Sequence, residues 1–484
     1  MSTDQNALAV PHQLCQYCEN VAIRLRAALK TCFDYSEELQ IEHYPNMQTF
    51  AESMLQQQCH LCMIFRSQTV YTSGLYTTEE FLLMLNEYRD KADRPLHLKV
   101  KSGDKSGSSP EVFDLSLGYN IDGLTFDKIA RARLIHCKGG AANKDVTPEL
   151  LSIFTASESS YANIKRWLHI CTTEHVDCRR NPRRRAPTRL LDLGIQSTEG
   201  IRLIAGTTIG QAPYAALSYI WGSVPQLALT PENYSEFKTQ ILMESLSKVA
   251  QDAVTVCRML SVRYLWIDAI CIIQGPKGDF QQEAALMEDV YANALLTINA
   301  ADVYATQPFL VRRNPLRWID CRLMADDDGE CQSYVSGNPF CDAGHNLPGT
   351  FPLDSRGWCF QEQFLSPRSI YFSKEGVHWE CRKSVVCERH QDMRAENHQN
   401  MLDRPRKTLY KNLVSMGDDL SDPATTLELR EIWKRILQRY SATRLTHPSD
   451  KMAALAGIAS MFESKFNMRA SFGLWLELLL DELL

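Results

Sequence analysis

The stretch Arg263–Gln274, RYLWIDAICIIQ, has the apolar density of a buried strand, yet Asp268 stands at its centre. Upstream, YAALSYIWG over 214–222 is a second compact apolar stretch, and residues 245–262 repeat apolar side chains with the period of a helix. Downstream, ALLTINAA over 294–301 indicates a further short strand. Strands that alternate with helices at this spacing predict a parallel α/β sheet.

The position of Asp268 in this stretch allows two interpretations. Open parallel sheets bind ligands in the crevice outside the carboxyl ends of their strands. If the stretch is a central strand, Asp268 either lies near that edge of the sheet or is a buried acid. A buried acid must be hydrogen-bonded, because an unpartnered charge is costly to remove from water.

Length and composition are those of an ordinary globular chain. The 484 residues are 44% hydrophobic and 23% charged, with a net charge of -6, and the length favours about two to three domains. This charge gives no indication of nucleic-acid binding, and we find neither a secretory signal nor an apolar run long enough to span a membrane. Sixteen cysteines in such a chain are better interpreted as reduced thiols than as disulfides, so we expect a cytoplasmic protein.

Changes in composition and apolar pattern along the chain predict three segments. Residues 1–188 form an N-terminal, cysteine-containing α+β region that ends in a basic linker with five arginines between Arg179 and Arg185. That run could bind an anion or be a solvated linker. Residues 189–390 hold the α/β domain, with an irregular insertion at about 302–355, and residues 391–484 form a C-terminal helical segment.

The cysteine spacing suggests metal ligands. Two C-x-x-C pairs, Cys15 with Cys18 and Cys59 with Cys62, are the usual ligand set of a structural zinc site. The alternative is two pairs of buried reduced thiols. A further group with ligand-like spacing, which could also complete a metal site, consists of Cys171, His175 and Cys178.

Four ordered blocks carry a family resemblance, and it covers about Tyr214 to Cys381. The blocks are YAALSYIWG, YLWIDAICIIQ, MEDVYANALLTINAA and RGWCFQEQFLSPRSIYF. In this order they closely resemble the fungal heterokaryon-incompatibility (HET) domain. Proteins of that family trigger growth arrest or cell death when genetically different fungal cells fuse, and the resemblance implies such a role in non-self recognition here.

The resemblance also implies a fold and a site. HET domains are similar to TIR domains, whose core is a flavodoxin-like parallel sheet and some of which cleave NAD at the nicotinamide bond. WCFQE has the spacing found around the TIR catalytic glutamate, which implies that Glu362 is catalytic and that NAD is a substrate. The residues that would bind NAD are Ser218, Trp221, Asp268, Arg356 and Trp358.

The chemistry suits a carboxylate, but each residue also has a structural interpretation. Departure of nicotinamide builds positive charge on the ribose, which a fixed carboxylate stabilises. Glu362 could instead cap a helix start, or pair with Arg356 or Arg368. The tryptophans could simply be core residues, since tryptophan is mostly buried.

Two functions of different classes therefore stay open. One is an NAD-consuming enzyme of the incompatibility type. The other is a non-enzymatic signalling module that self-associates or docks on an incompatibility or signalling partner. An enzyme requires Glu362 to open to a cleft beside Asp268 and Ser218, whereas a scaffold does not. We expect neither a nucleic-acid partner nor a membrane span.

Overall fold

The computed structural model describes most of the chain, in ranges separated by gaps. They are 13–30, 38–56, 59–73, 94–102, 111–120, 126–138, 154–178, 185–194, 200–312, 321–325, 331–336, 351–373, 376–388, 406–471 and 474–478. Most of the basic run, residues 179–184, lies outside the described residues. The described chain falls into two compact units, residues 1–153 with 314–343 and residues 154–313 with 344–484.

The regular elements of the described residues are numbered in chain order. The strands are β1 (Leu39–Tyr44), β2 (Leu96–Ser102), β3 (Glu111–Asn120), β4 (Phe126–Lys138), β5 (Arg189–Asp192), β6 (Arg202–Ala205), β7 (Tyr214–Ile220), β8 (Tyr264–Trp266), β9 (Leu296–Tyr304), β10 (Cys321–Ala325), β11 (Cys331–Ser336), β12 (Arg368–Ser373), β13 (Gly376–Cys381), β14 (Val385–Cys387), β15 (Ala470–Ser471) and β16 (Leu474–Trp475). The α-helices are α1 (Gln16–Lys30), α2 (Met47–Gln56), α3 (His60–Ser73), α4 (Glu158–Thr173), α5 (Tyr234–Thr239), α6 (Lys248–Met259), α7 (Asp268–Cys271), α8 (Phe280–Ala284), α9 (Met287–Asn293), α10 (Gly357–Leu365), α11 (Arg406–Ser415), α12 (Pro423–Ser441) and α13 (Ala453–Phe466). Short 3-10 helices cover Val176–Cys178, Gly206–Ile209, Met243–Ser245, Pro352–Ser355, Pro448–Lys451 and Leu476–Leu478.

The first unit is built on an antiparallel sheet. Its described strands follow the order β1, β2, β3, β4, β11, β10. Along β2 the buried residues Leu96, Leu98 and Val100 alternate with half-buried ones, which is the period-two pattern of a sheet with one face in the core. Helices α1 to α3 belong to the same unit.

The insertion contains strands, which corrects the expectation that residues 302–355 are irregular. Strand β9 runs on to Tyr304, and β10 and β11 then form an antiparallel pair. Strand β11 pairs in turn with β4, so the chain returns to the sheet of the first unit before α10 begins. The pairing covers an edge of β4 that would otherwise expose its backbone hydrogen-bonding groups.

The second unit is built on a mixed sheet. The described strands follow the order β14, β13, β12, β9, β7, β8, β5, β6. The four central strands, β12, β9, β7 and β8, are parallel to one another. The flanking strands are antiparallel to their neighbours. The α/β class predicted from the sequence is therefore confirmed, whereas the predicted parallel sheet is parallel only at its centre.

Strand β8 is much shorter than the apolar stretch predicts. It ends at Trp266, and Asp268 is the first residue of the short helix α7. The amides of Ile270 and Cys271 both donate to the carbonyl of Ile267, which closes this helical turn. Apolar density alone does not distinguish a buried strand from a buried helical turn, and that is why the pattern misleads here.

Helix α10 is surrounded by other elements of the second unit. Of its nine residues, all but Trp358 are buried. The amide of Gly457 in α13 donates to Oε1 of Gln361 at 2.8 Å, which ties the C-terminal helices to α10. No helix among the described residues is both long enough and apolar enough to cross a membrane.

Candidate functional site

The sequence-predicted residues meet at one edge of the parallel strands. Ser218 lies near the carboxyl end of β7, in register with Asn299 of β9. Asp268 follows the end of the neighbouring strand β8. Glu362 comes from α10, which packs beside β7. Carboxyl ends of adjacent parallel strands are where such sheets bind ligands, so the location fits a site.

Asp268 is hydrogen-bonded through both carboxylate oxygens. Its Oδ2 accepts from the indole Nε1 of Trp221 at 2.7 Å, and its Oδ1 accepts from the amide of Ala269 at 2.7 Å. Burial raises the pKa of the Asp268 carboxyl, while the Trp221 bond and the charge of Arg356 oppose the rise. The acid in the opening stretch therefore has the partners that burial requires.

Glu362 is the least solvated acid of the site. It is 5% exposed, and its Oε2 has no hydrogen-bond partner among the described residues. Burial raises the pKa of the Glu362 carboxyl to about 7; the Ser218 hydroxyl opposes this rise and the charge of Asp268 adds to it. A carboxyl that titrates near neutral pH can act as either a proton donor or a charged group.

Ser218 presents a second unsatisfied group beside Glu362. The residue is 1% exposed, and its Oγ also has no hydrogen-bond partner among the described residues. Ser218 Oγ and Glu362 Oε2 are thus neighbouring buried polar atoms: the Ser218 hydroxyl is close enough to lower the pKa of Glu362, yet neither atom makes a hydrogen bond of full geometry with the described residues. Buried polar groups in native proteins are nearly always paired, so exceptions of this kind call for an explanation such as a ligand or water.

Arg356 connects the two acids electrostatically. Its Nη1 donates to the carbonyl oxygen of Tyr219 at 3.0 Å, which anchors the guanidinium next to β7. Burial lowers the pKa of Arg356, but the neighbouring Cys359, Glu362 and Asp268 more than offset this, so the net pKa is raised. The guanidinium is therefore a fixed positive charge close to both carboxyls.

The tryptophans differ in their surroundings. Trp221 is partly buried and donates to Asp268, so it belongs to the site. Trp358 donates instead to Oδ2 of Asp450 at 3.2 Å and meets Phe280 edge-on. Trp266 is 1% exposed and packs against Tyr291 as a core residue.

Two tyrosines of the site escaped prediction from the sequence. Tyr219 lies next to Ser218, and the charge of Asp268 contributes to raising its pKa, after burial. Tyr291 donates to the carbonyl of Leu217 at 3.0 Å and lies close enough to Glu362 for that charge to raise its pKa, again after burial. Both lie within blocks quoted for the family resemblance, but only the folded arrangement shows that they reach the site.

The structure excludes helix capping by Glu362 and a pair with Arg368, but it retains an interaction with Arg356. Helix α10 begins at Gly357, so Glu362 lies in its second turn and does not cap the helix start. Arg368 directs its guanidinium to Cys171 Sγ and to the carbonyls of Leu295 and Cys178. Arg356, in contrast, lies close enough to lower the pKa of Glu362.

Two cysteine-rich clusters among the described residues could each hold a metal ion. In the first unit these are Cys15, Cys18, Cys59 and Cys62, whose sulfur atoms lie within 4.8 Å of one another. The Sγ atoms of Cys15 and Cys62 are 3.8 Å apart, and those of Cys18 and Cys62 are 3.6 Å apart. A tetrahedral zinc with Zn–S bonds near 2.3 Å requires sulfur separations of about 3.8 Å, so the four thiols fit zinc.

The second cluster lies in the second unit, and the sequence found only part of it. Cys171, His175 and Cys178 are joined by Cys381, again with all ligand atoms within 4.8 Å of one another. Cys381 ends β13, far along the chain from the other three residues. No local spacing could have grouped it with them, because the sheet alone brings it there.

Comparison with known proteins gives one match. Residues 214–362 match the family model described as Heterokaryon incompatibility protein (HET), an interval that contains every candidate residue from Ser218 to Glu362. A search of curated proteins found no match, and a search of solved structures found none either. Residues 214–362 of this chain therefore carry a HET domain, which suggests a function of the heterokaryon-incompatibility type.

Proposed function

We propose that this protein acts in fungal non-self recognition and cell death by hydrolysing NAD, with Glu362 as the catalytic carboxylate. In this reaction the bond between ribose C1 and the nicotinamide nitrogen breaks, and nicotinamide leaves with the electron pair. The oxygen of water bonds to C1, and one proton is released. The products are nicotinamide and ADP-ribose.

The observation that carries this proposal is the buried pair Glu362 Oε2 and Ser218 Oγ at the carboxyl edge of the sheet, whose hydrogen-bonding capacity the described residues leave partly unfilled. A ribose hydroxyl can donate to the carboxylate and accept from the serine hydroxyl. A carboxylate held in this buried place would also stabilise the positive charge that builds on the ribose as nicotinamide departs.

The remaining groups have roles that follow from their charge. Arg356 has the planar fork that binds a pyrophosphate, and it is fixed by its bond to the Tyr219 carbonyl. Asp268 is fixed by Trp221 and would hold a ribose or amide group of the substrate. In this role Trp221 positions Asp268, and its ring would border the bound nucleotide, as would the ring of Trp358.

The strand order supports the TIR-like part of the proposal. Numbered from the first parallel strand of the HET domain, β7, β8, β9 and β12 lie in the order 2-1-3-4. This is the beginning of the flavodoxin-like order, in which ligands bind where the connections change direction. Ser218 lies on β7, the first strand, beside that change.

A non-enzymatic scaffold is the alternative, and one observation favours it. Glu362 is only 5% exposed, so a substrate would reach it only after side chains at the edge move. A scaffold acting by self-association or by docking on a partner needs no such access. The two functions separate in cells. Expression of the wild type should arrest growth and deplete NAD, whereas Glu362→Gln should do neither. If Glu362→Gln arrests growth as strongly as the wild type, the scaffold function is supported.

We also propose that Cys15, Cys18, Cys59 and Cys62 hold a structural zinc ion. The Tyr44 hydroxyl lies 2.7 Å from Cys62 Sγ, and His43 Nε2 lies 3.3 Å from Cys18 Sγ. Such neighbours orient thiolate ligands and share their charge. The ion would join α1 to α3 inside the first unit, because these four residues flank or lie within those helices.

A further inference from the structure

We infer that Cys171, His175, Cys178 and Cys381 form a second zinc site, of the closed Cys3His type, which fastens the segment before the HET domain to the end of β13. Three of the ligands lie outside the family match on its N-terminal side and one lies beyond it on the other side. The site is independent of the proposed NAD chemistry.

The ligand geometry fits a tetrahedral ion. All four residues are buried, and each offers one ligand atom. His175 Nδ1 lies 3.4 Å from Cys381 Sγ. With Zn–S bonds near 2.3 Å and Zn–N bonds near 2.0 Å, a tetrahedral ion places such a pair about 3.5 Å apart. Four protein ligands leave no open position, which is the arrangement of structural zinc sites.

Hydrogen-bond donors around the cluster would stabilise its sulfur atoms as thiolates. The amide of Ser384 donates to Cys381 Sγ at 3.3 Å, and Arg368 Nε donates to Cys171 Sγ at 3.2 Å. Hydrogen bonds of this kind from outside the ligand set orient metal-bound sulfur and stabilise its charge.

The charge balance around Arg368 also favours a zinc ion in this cluster. Arg368 is 1% exposed, and its guanidinium donates only to a sulfur and to the carbonyls of Leu295 and Cys178 among the described residues. A buried guanidinium needs a negative partner. A zinc ion with three thiolates and a neutral histidine carries a net charge of about -1, which would neutralise Arg368.

The position of the cluster assigns it a structural role. Arg368 is the first residue of β12, and its Nη1 donates at 3.2 Å to Leu295, just before β9. Both strands begin at this edge of the sheet. Ser218 and Asp268 lie at the opposite edge, where β7 and β8 end. The ion would therefore fix the N-terminal flank and the β12–β13 pair without taking part in chemistry at Glu362.

Zinc content of the full chain tests this inference. The protein is purified under reducing conditions, incubated with zinc chloride, freed of unbound metal and analysed by elemental mass spectrometry. Cys381→Ala should lower the zinc content by about one ion per chain relative to the wild type. Cys257→Ala removes a thiol that is equally buried but outside both clusters, and it should leave the zinc content unchanged.

If Cys381→Ala does not fold, the zinc content of the wild type and of Cys59→Ala tests the inference instead. About two ions per chain, or one ion that persists in Cys59→Ala, assigns an ion to the second cluster. Cobalt substitution of that Cys59→Ala protein should then give the intense near-ultraviolet band of cobalt–thiolate bonds. No zinc in the wild type, a single ion that Cys59→Ala abolishes, or full zinc content in a folded Cys381→Ala would overturn the inference.

Discussion

The indole Nε1 of Trp221 donates a 2.7 Å hydrogen bond to Oδ2 of Asp268, which joins the residue after β7 to the residue that opens α7. This bond accounts for an aspartate in an otherwise apolar stretch. Two donors, the indole and the Ala269 amide, hold its carboxylate at the carboxyl edge of the sheet. The acid is thereby both satisfied and fixed beside Glu362.

The Trp221–Asp268 bond should contribute measurably to stability. Trp221→Phe keeps most of the apolar ring and removes the donor, so we expect the free energy of unfolding to fall by about 1 kcal/mol at neutral pH. This is less than for a fully buried charged acceptor, because water can reach a half-buried site. Urea denaturation of Trp221→Phe, of Asp268→Ala and of the double variant isolates the pairwise energy, because alanine removes the acceptor. Strictly additive losses would contradict a direct bond.

Glu362 should make stability depend on pH. The unfolded chain releases this proton near pH 4.5, whereas the folded protein holds it to about pH 7, so the contribution of Glu362 to stability is lost as pH rises through this interval. Glu362→Gln cannot ionise. Relative to the wild type, we expect it to gain up to about 3 kcal/mol between pH 4.5 and 7.5.

Urea midpoints measured across that range check the pH prediction. Glu283→Gln is the matched comparison: Glu283 is also 5% exposed and burial raises its pKa, but the charge of Arg189 opposes that rise, so we expect a smaller gain than for Glu362→Gln. A constant difference between Glu362→Gln and the wild type at every pH would show that Glu362 titrates as an ordinary exposed acid.

Gly457 should be intolerant of a side chain. A Cβ there would lie 2.9 Å from Cβ of Glu288 and 3.0 Å from Oε1 of Gln361, the residue before Glu362. Alanine favours helices by about 1 kcal/mol over glycine, but overpacking costs about 1–3 kcal/mol, so we expect Gly457→Ala to destabilise the protein overall. Thermal unfolding measures the loss. Gly417→Ala, whose Cβ meets only an ordinary contact with Thr425, should change stability little.

Metal removal should act on the first unit through its cysteine pairs. Cys62→Ala removes a buried sulfur that contacts Tyr44, Cys15 and Cys18. We expect it to lose about one zinc ion per chain and to expose α1 and α3 to faster amide hydrogen exchange, because structural zinc supplies folding energy. Retention of all zinc and of exchange protection in that variant would show that the cluster is a set of buried thiols.

The sequence predicted the parts of the fold that depend on local pattern. The period of residues 245–262 correctly placed α6, which Ser247 caps by accepting from the Ala250 amide. Three of the four parallel strands, β7, β8 and β9, were predicted from short apolar stretches separated by helices. The strands within the insertion were missed, because short strands of the β10 and β11 kind gain their stability from pairing with β4, which no local pattern records.

The same distinction between sequence pattern and packing applies to the residues of the site. Ser218, Asp268, Arg356 and Glu362 were predicted through the family resemblance, and the structure brings them together. Tyr219 and Tyr291 interact electrostatically with Asp268 and Glu362. They lie at strand and helix positions that only packing brings to the site. Cys381 was missed for the same reason, since its three partners lie on the other side of the HET domain in sequence.

The most direct test is release of nicotinamide from NAD by the purified full chain at pH 7, with wild type, Glu362→Gln and Glu283→Gln measured side by side. We predict that the wild type and Glu283→Gln release nicotinamide at comparable rates, and that Glu362→Gln is slower by at least about 100-fold, the usual effect of removing a group that stabilises transition-state charge. Equal rates in Glu362→Gln and the wild type, or no release by folded wild type, would contradict the assignment of Glu362 as a catalytic carboxylate.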